Sequence, residues 1–81
     1  MLKELADPQK RIVGTKQVLR AIAQGEAECV FVAADADEPI RQRIISACDE
    51  QNIPAQQQHT LRELGAACRI AVGAAAVALK K

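Results

Sequence analysis

A chain of 81 residues, 49% hydrophobic and with a net charge of +1, has material for one small core and is too apolar to remain disordered. A domain this size buries only about 60–65% of the surface its unfolded chain exposes. One aromatic side chain, Phe31, with no tryptophan or tyrosine, excludes single-strand binding by base stacking, and the small net charge excludes a surface that attracts nucleic acid everywhere.

Charge is nevertheless laid out in blocks. Residues 8–25 carry +4 and no acid, 26–38 carry −5, 39–63 balance, and 64–81 carry +3. This alternation fits a polarised surface with one basic pole. Cys29, Cys48 and Cys68 are odd in number and far apart, which excludes a CxxC metal or redox motif and points to buried thiols in a reducing compartment. No basic-then-apolar signal segment opens the chain. The apolar stretch Ala71–Leu79 is about half a membrane span, so a soluble cytoplasmic protein is expected.

In chain order, Met1–Ala6 reads as a short amphipathic helical turn, ended by Asp7-Pro8 because the residue before proline avoids helical backbone. Gln9–Val13 leads in as a short strand. Thr15–Gln24 is the first main helix, with Gly25 placed to stop it. Glu28–Ala34 is nearly all apolar, as suits a central strand covered on both faces. Asp35–Pro39 is a polar turn, with Asp37 an N-cap and Pro39 in the first helical turn. Ile40, Ile44, Ile45 and Cys48 form a helical stripe running to about Gln51, and Asn52-Ile53-Pro54 breaks it.

Ala55–Gln58 is a weak strand near an edge. Thr60 and Glu63 have capping-box spacing at the start of a third helix, whose apolar side is Leu61, Leu64, Ala67 and Cys68. Arg69–Val72 is a loop. Propensity favours helix for Ala74-Ala75-Ala76, but Val72, Val77 and Leu79 flank the run and a strand–helix rhythm precedes it, so Gly73–Leu79 is assigned as strand. Lys80-Lys81 is a frayed, charged end. With no repeats or linkers, residues 1–81 are expected to form one α/β domain with a central sheet and helices on both faces.

No catalytic constellation is visible. His59 is the sole histidine, between a glutamine run and a helix cap, and Ser46 is the sole serine. Asp35 and Asp37 follow the central strand, where open α/β sheets bind ligands, yet turn chemistry and capping account for them more simply. The glycines form neither GxGxxG nor a P-loop. The protein is expected not to be an enzyme and to need no cofactor or metal.

Gly14-Thr15-Lys16-Gln17-Val18-Leu19-Arg20 is the stretch that best suits a site. A glycine turn after Ile12-Val13 opens a helix whose first turn has free N–H groups and partial positive charge. Lys16 lies there, Arg20 is one turn on along the same side, and Lys10 and Arg11 precede it. Such an end can bind phosphate; on spacing alone, an ordinary amphipathic helix with a solvated cationic face explains it as well.

Paired with Leu64-Gly65-Ala66-Ala67-Cys68-Arg69-Ile70-Ala71-Val72-Gly73-Ala74-Ala75-Ala76-Val77-Ala78, and with Val30–Asp37 and Asn52-Ile53-Pro54 between, that stretch gives a chain that resembles the L-seven-Ae / L-thirty-e family of ribosomal and kink-turn RNA-binding proteins, especially its small bacterial members. The resemblance spans about residues 10–79. It implies a three-layer α/β/α sandwich with a four-stranded mixed sheet. It also implies binding to kink-turns, RNA duplexes bent sharply beside tandem sheared G·A pairs. By motif match, Gly14, Thr15, Lys16, Gln17 and Arg20 would meet the G·A pairs and nearby phosphates, while Arg69, Ile70, Ala71 and Val72 would cover the loop nucleotides.

The physics is compatible: an A-form major groove is too deep and narrow for side chains, so a bent, widened site is what a helix end can enter. Two departures bear on affinity. Some members carry asparagine-glutamate where this chain has Lys16-Gln17, and members often carry lysine and glycine at the positions of Ala66 and Arg69. The expected function is recognition of kink-turns in structured RNA, with the ribosome as a partner, no membrane, and a monomeric protein. The alternative is a protein-interaction or scaffold module that keeps the fold with weak or lost RNA binding.

Overall fold

The run Cys29-Val30-Phe31-Val32-Ala33 is buried along its whole length. An extended segment presents successive side chains to opposite faces, so a continuous apolar run needs cover on both sides. The rest of the chain supplies it. The computed structural model describes residues 2–81, with Met1, the first residue of the expected helical turn, outside them. It contains a short 3-10 helix (Leu2–Ala6), β1 (Arg11–Val13), α1 (Thr15–Ala23), β2 (Ala27–Val32), α2 (Glu38–Gln51), β3 (Ala55–Gln56), α3 (Leu61–Ala67) and β4 (Ala76–Lys80).

The sheet order is β1-β4-β2-β3. β4 runs antiparallel to both β1 and β2, with Val13 opposite Val77 and Val32 opposite Ala76, and β3 is parallel to β2. One face of the sheet packs Val30 and Val32 of β2 and Ala76 and Ala78 of β4 against Val18, Ala21 and Ile22 of α1 and Ile44 and Cys48 of α2. The other packs Cys29, Phe31, Val77 and Leu79 against Leu5, Leu64 and Cys68. This is the expected three-layer α/β/α sandwich with a mixed four-stranded sheet. The small Ala76 and Ala78 side chains sit in the α1/α2 layer.

Several boundaries differ from the sequence reading. β1 begins at Arg11 and β3 has two residues, because each is an edge strand with one neighbour. Ile40 and Ile45 are only half-buried, leaving Ile44 and Cys48 as the buried positions of α2. Gly73–Ala75 belong to the loop: the Ala74 N–H bonds the Leu61 carbonyl at 3.1 Å, holding this stretch on α3. Lys80 and Lys81 are not frayed, since their N–H groups donate to Lys10 and Glu26 carbonyls at 2.9 and 3.0 Å. Residue 25 has φ 71, where glycine carries no Cβ penalty, so Gly25 closes α1 as expected.

Arg11 is the larger correction. Rather than joining a phosphate-facing cationic set, its Nη1 donates to the Leu5 carbonyl at 3.1 Å and to the Cys68 carbonyl at 2.7 Å. The guanidinium therefore ties the first strand to the 3-10 helix and to the carboxyl end of α3, where free carbonyls and the helix dipole favour a cation.

The three cysteines are buried and free. Burial pushes the Cys48 thiol up from 9.0 to about 11, with Asp49 adding to the rise. Cys29 and Cys68 are also raised, chiefly by burial, with Arg11 opposing the rise at Cys68. Below the unfolded value near 9 both states of Cys48 keep the proton, and stability does not depend on it. As pH rises from about 9 to about 11 the unfolded chain releases the proton first, so stability falls across that window. The expected result is slow labelling by a thiol reagent at pH 8, becoming fast only under denaturing conditions; rapid labelling of all three thiols in the folded protein would contradict this burial.

Candidate functional site

Because β1 and β2 both oppose β4, and β3 is parallel to β2, the carboxyl ends of β1, β2 and β3 share one edge with the amino end of β4. All three helices start at this edge, and the 68–75 loop enters it. Cross-ties hold the edge together. The Gly14 N–H donates to Ala76 O at 3.1 Å, Ala33 N–H to Ala75 O at 2.8 Å, and Ala34 N–H to His59 O at 2.8 Å. Asp35 Oδ1 accepts the Leu61 N–H at 2.8 Å, so this aspartate serves the start of α3, and no group of side chains suited to a metal exists among the described residues.

The three helix starts are chemically different. At α3, Thr60 and Glu63 form a capping box that satisfies first-turn groups. α2 starts after Asp37, which holds the expected N-cap position but makes no side-chain capping bond, and has Glu38 in its first turn. α1 has no acidic residue in its first turn and no side-chain cap. Its first N–H groups thus face outward with their partial positive charge uncompensated. Lys16, Gln17 and Arg20 are exposed there, and Thr15 is half-buried. Gly14 has φ 110 and ψ 144, a conformation close to glycine's own, and a Cβ on it would lie 2.5 Å from Gln17 Oε1. The Gln17 amide is folded back over the helix start, and only glycine leaves it that place.

The second expected segment divides in two. Ile70 is half-buried and packs on the Phe31 core layer, so it anchors the loop. Ala71 and Val72 are exposed, and Val72, at 70%, is the exposed large hydrophobic among the described residues. Gly65 allows the close approach that holds this loop: a Cβ there would collide with the Val72 carbonyl oxygen and lie 3.0 Å from Gly73 Cα. Arg69 has φ 58 directly after α3, with its N–H on Ala66 O at 3.0 Å and that of Ile70 on Gly65 O at 3.1 Å. This is a helix stop that glycine usually makes, and a side chain there costs about 1–2 kcal/mol.

A groove of about 410 Å³ lies between α3 and this loop, lined by Leu61, Arg62, Ala66 and 70–73. Arg62 lines this groove and was not singled out from sequence, since no local spacing relates it to the loop. A larger groove of about 600 Å³, along Leu19 and the outer face of α2, includes none of the expected site residues.

The whole chain, residues 1–81, matches the family described as ribosomal protein L7Ae/L30e/S12e/Gadd45. It is 49% identical over 70 residues to the RNA-binding protein YbxF of Geobacillus stearothermophilus, covering 86% of this chain and 85% of that one. It is 42% identical over 71 residues to an RNA-binding protein of Caldanaerobacter subterraneus, covering 88% and 87%. The 15.5 kD RNA-binding protein of Giardia lamblia superposes with a TM-score of 0.87 at 29% identity, over 99% of this chain and 68% of that one. A protein of unknown function from Bacillus halodurans shares the fold at a TM-score of 0.89 and 22% identity, over 99% and 83%.

Proposed function

Since the chain belongs to the ribosomal protein L7Ae/L30e/S12e/Gadd45 family, we propose that it is a cytoplasmic, monomeric protein that recognises and stabilises kink-turns in ribosomal or other structured RNA. Its named relatives are RNA-binding proteins, and the protein is not an enzyme. One observation carries the reading: the start of α1 is uncapped, free of acid, and dressed with Lys16, Gln17 and Arg20 at an edge it shares with the exposed Val72 loop.

Each group has a defined task in this reading. The first-turn N–H groups and Lys16 neutralise phosphates crowded at the bend. Gln17, whose amide lies beside Gly14, offers a donor and an acceptor to the purine edges of the G·A pairs. Arg20, one turn on, touches phosphate. Val72 covers a nucleotide turned out of the stack. The protein favours the bent RNA because only that form reaches both segments together, and the population shifts accordingly. The alternative of a scaffold with weak RNA binding draws on the net charge of +1 and on Arg11 being held within the fold.

Gln17→Ala is expected to weaken kink-turn binding by about 1–3 kcal/mol and to erode the preference for G·A pairs. Arg20→Ala is expected to weaken all RNAs alike and to make the salt dependence shallower by about one contact. With Lys10, Lys16, Arg20 and Arg69 exposed, the wild-type slope of log affinity on log salt should be roughly −2 to −4. Titration of both variants against kink-turn and straight duplex, with circular dichroism as the fold control, checks the division of labour. Equal losses on both RNAs for Gln17→Ala would leave only a basic patch.

A further inference from the structure

The neighbour of the α1 start is chemically its opposite. α1 and α2 pack side by side on one face of the sheet, and both begin at its carboxyl edge. Packed helices lie about 8–10 Å apart, axis to axis. α1 opens without an acid, whereas α2 opens on two exposed carboxylates, Asp37 and Glu38. Neither is engaged: Asp37 makes no capping bond, and neither side chain makes a hydrogen bond or an ion pair among the described residues. At α3, by contrast, Glu63 accepts the Thr60 N–H and Asp35 accepts the Leu61 N–H. A cation stands within reach of the two free acids. Arg41 lies one turn on, with its N–H on the Asp37 carbonyl at 3.0 Å, at the spacing where a helix pairs acid with base. It forms no such pair, and its Nε is buried without a partner. The helix dipole accounts for an acid in the first turn of α2. It does not account for two acids left unneutralised beside a phosphate-binding helix start.

We infer that Asp37 and Glu38 are specificity determinants that repel an unbent duplex from the α1 start. The inference rests on the functional reading above and names what that site rejects. A helix end that enters a duplex groove has a phosphate strand on each side of it. With α2 beginning beside α1, one of those strands lies over the α2 start. Each strand carries about one phosphate per 3.4 Å, so the gap between the two helix starts spans about three phosphates. A straight duplex seated on Lys16 and Arg20 thus sets part of its backbone against two free carboxylates. A sharply bent RNA presents its apex to α1 and leads both stems away from the edge, which removes that opposition. Discrimination then has a repulsive half on α2 beside the attractive half that Gln17 supplies on α1. The separation of Arg41 from both acids keeps the repulsive charge at its full value.

The test compares wild type with Asp37→Asn/Glu38→Gln, which keeps side-chain shape and, because asparagine caps a helix as well as aspartate does, the fold. A control, Glu26→Gln/Glu28→Gln, makes the same change of charge at the amino end of β2, on the opposite edge of the sheet. Each protein is checked by circular dichroism melting. Each is then titrated across a salt series against a kink-turn RNA, the same RNA with its G·A pairs replaced, and a straight duplex of the same stems. A carboxylate about 4 Å from a phosphate in water weakens binding about fivefold. The α2 variant is therefore expected to bind the straight duplex on the order of tenfold more tightly, and the kink-turn less than about twofold more tightly. That gain should shrink with salt, as the screening length falls from about 10 Å at 0.1 M to about 3 Å at 1 M. The control should leave the preference for the kink-turn unchanged. If the α2 variant binds the straight duplex no better than wild type does, the inference is overturned while the functional reading stands. If it gains equally on kink-turn and straight duplex, or if the control shifts the preference as much, net charge alone is at work and the inference falls. If wild type does not distinguish the kink-turn from its G·A-replaced form, the functional reading falls and takes the inference with it.

Discussion

Val32→Asp is expected to abolish the cooperative thermal transition. Val32 is fully buried, lies opposite Ala76 in the strand pairing, and belongs to the layer formed with Val18, Ile22 and Ile44. No buried polar or charged residue exists among the described ones, so a carboxylate there would find no partner side chain. An unpaired buried charge costs several kcal/mol, of order 3–5 even after relaxation. A chain of this length has a total stability of only about 4–12 kcal/mol. Loss of the whole margin is therefore the expected outcome, read as a non-cooperative melt by circular dichroism. A sharp transition within a few degrees of wild type would mean that β2 does not run through the centre of the sheet.

Arg11→Ala is expected to destabilise the fold by about 3 kcal/mol. Its Nη1 makes two hydrogen bonds to carbonyls, on Leu5 and Cys68, in a partly buried setting. Hydrogen bonds to charged groups contribute about 1.5–3 kcal/mol each, and partial exposure reduces the pair below the full sum. The Cys68 carbonyl would also lose its capping cation. Urea denaturation should show a lower midpoint with an unchanged m-value, the mark of altered stability rather than altered compactness. Where the variant is still folded, its salt dependence of RNA binding should equal that of wild type, because this guanidinium is engaged with two carbonyls of the fold. A shallower salt slope with unchanged stability would return Arg11 to the basic surface on which the sequence placed it.

That arginine shows where sequence reading stops. The strands and helices were legible because each carries a local signature: an apolar run at 29–33, Pro39 after Asp37, the Thr60–Glu63 box, and glycines at 14 and 25. Of the alanine-rich end assigned as strand, Ala76–Leu79 does pair in β4 at the centre of the sheet, while Gly73–Ala75 stays in the loop. A carbonyl 57 residues away has no local signature, so the partner that removes Arg11 from the surface could not be read. The same limit governs the loop. Ile70 and Val72 look alike in sequence, but one packs on Phe31's layer and the other projects outward, a difference set by how Gly65 lets the loop approach α3. The start of α1 was legible because glycine turn, absent acid and basic side chains all lie within seven residues. Arg62 was not singled out because its relation to the loop becomes plain only when the groove is seen.

Whether this protein reads the G·A-paired bend rather than charge alone is decided by a single titration. Wild-type protein is measured at 0.15 M salt against a kink-turn duplex and against the same duplex with its G·A pairs replaced by Watson–Crick pairs. A preference of at least tenfold for the kink-turn is expected, the equivalent of one lost base contact of about 1–3 kcal/mol. Equal affinity for the two duplexes would contradict it.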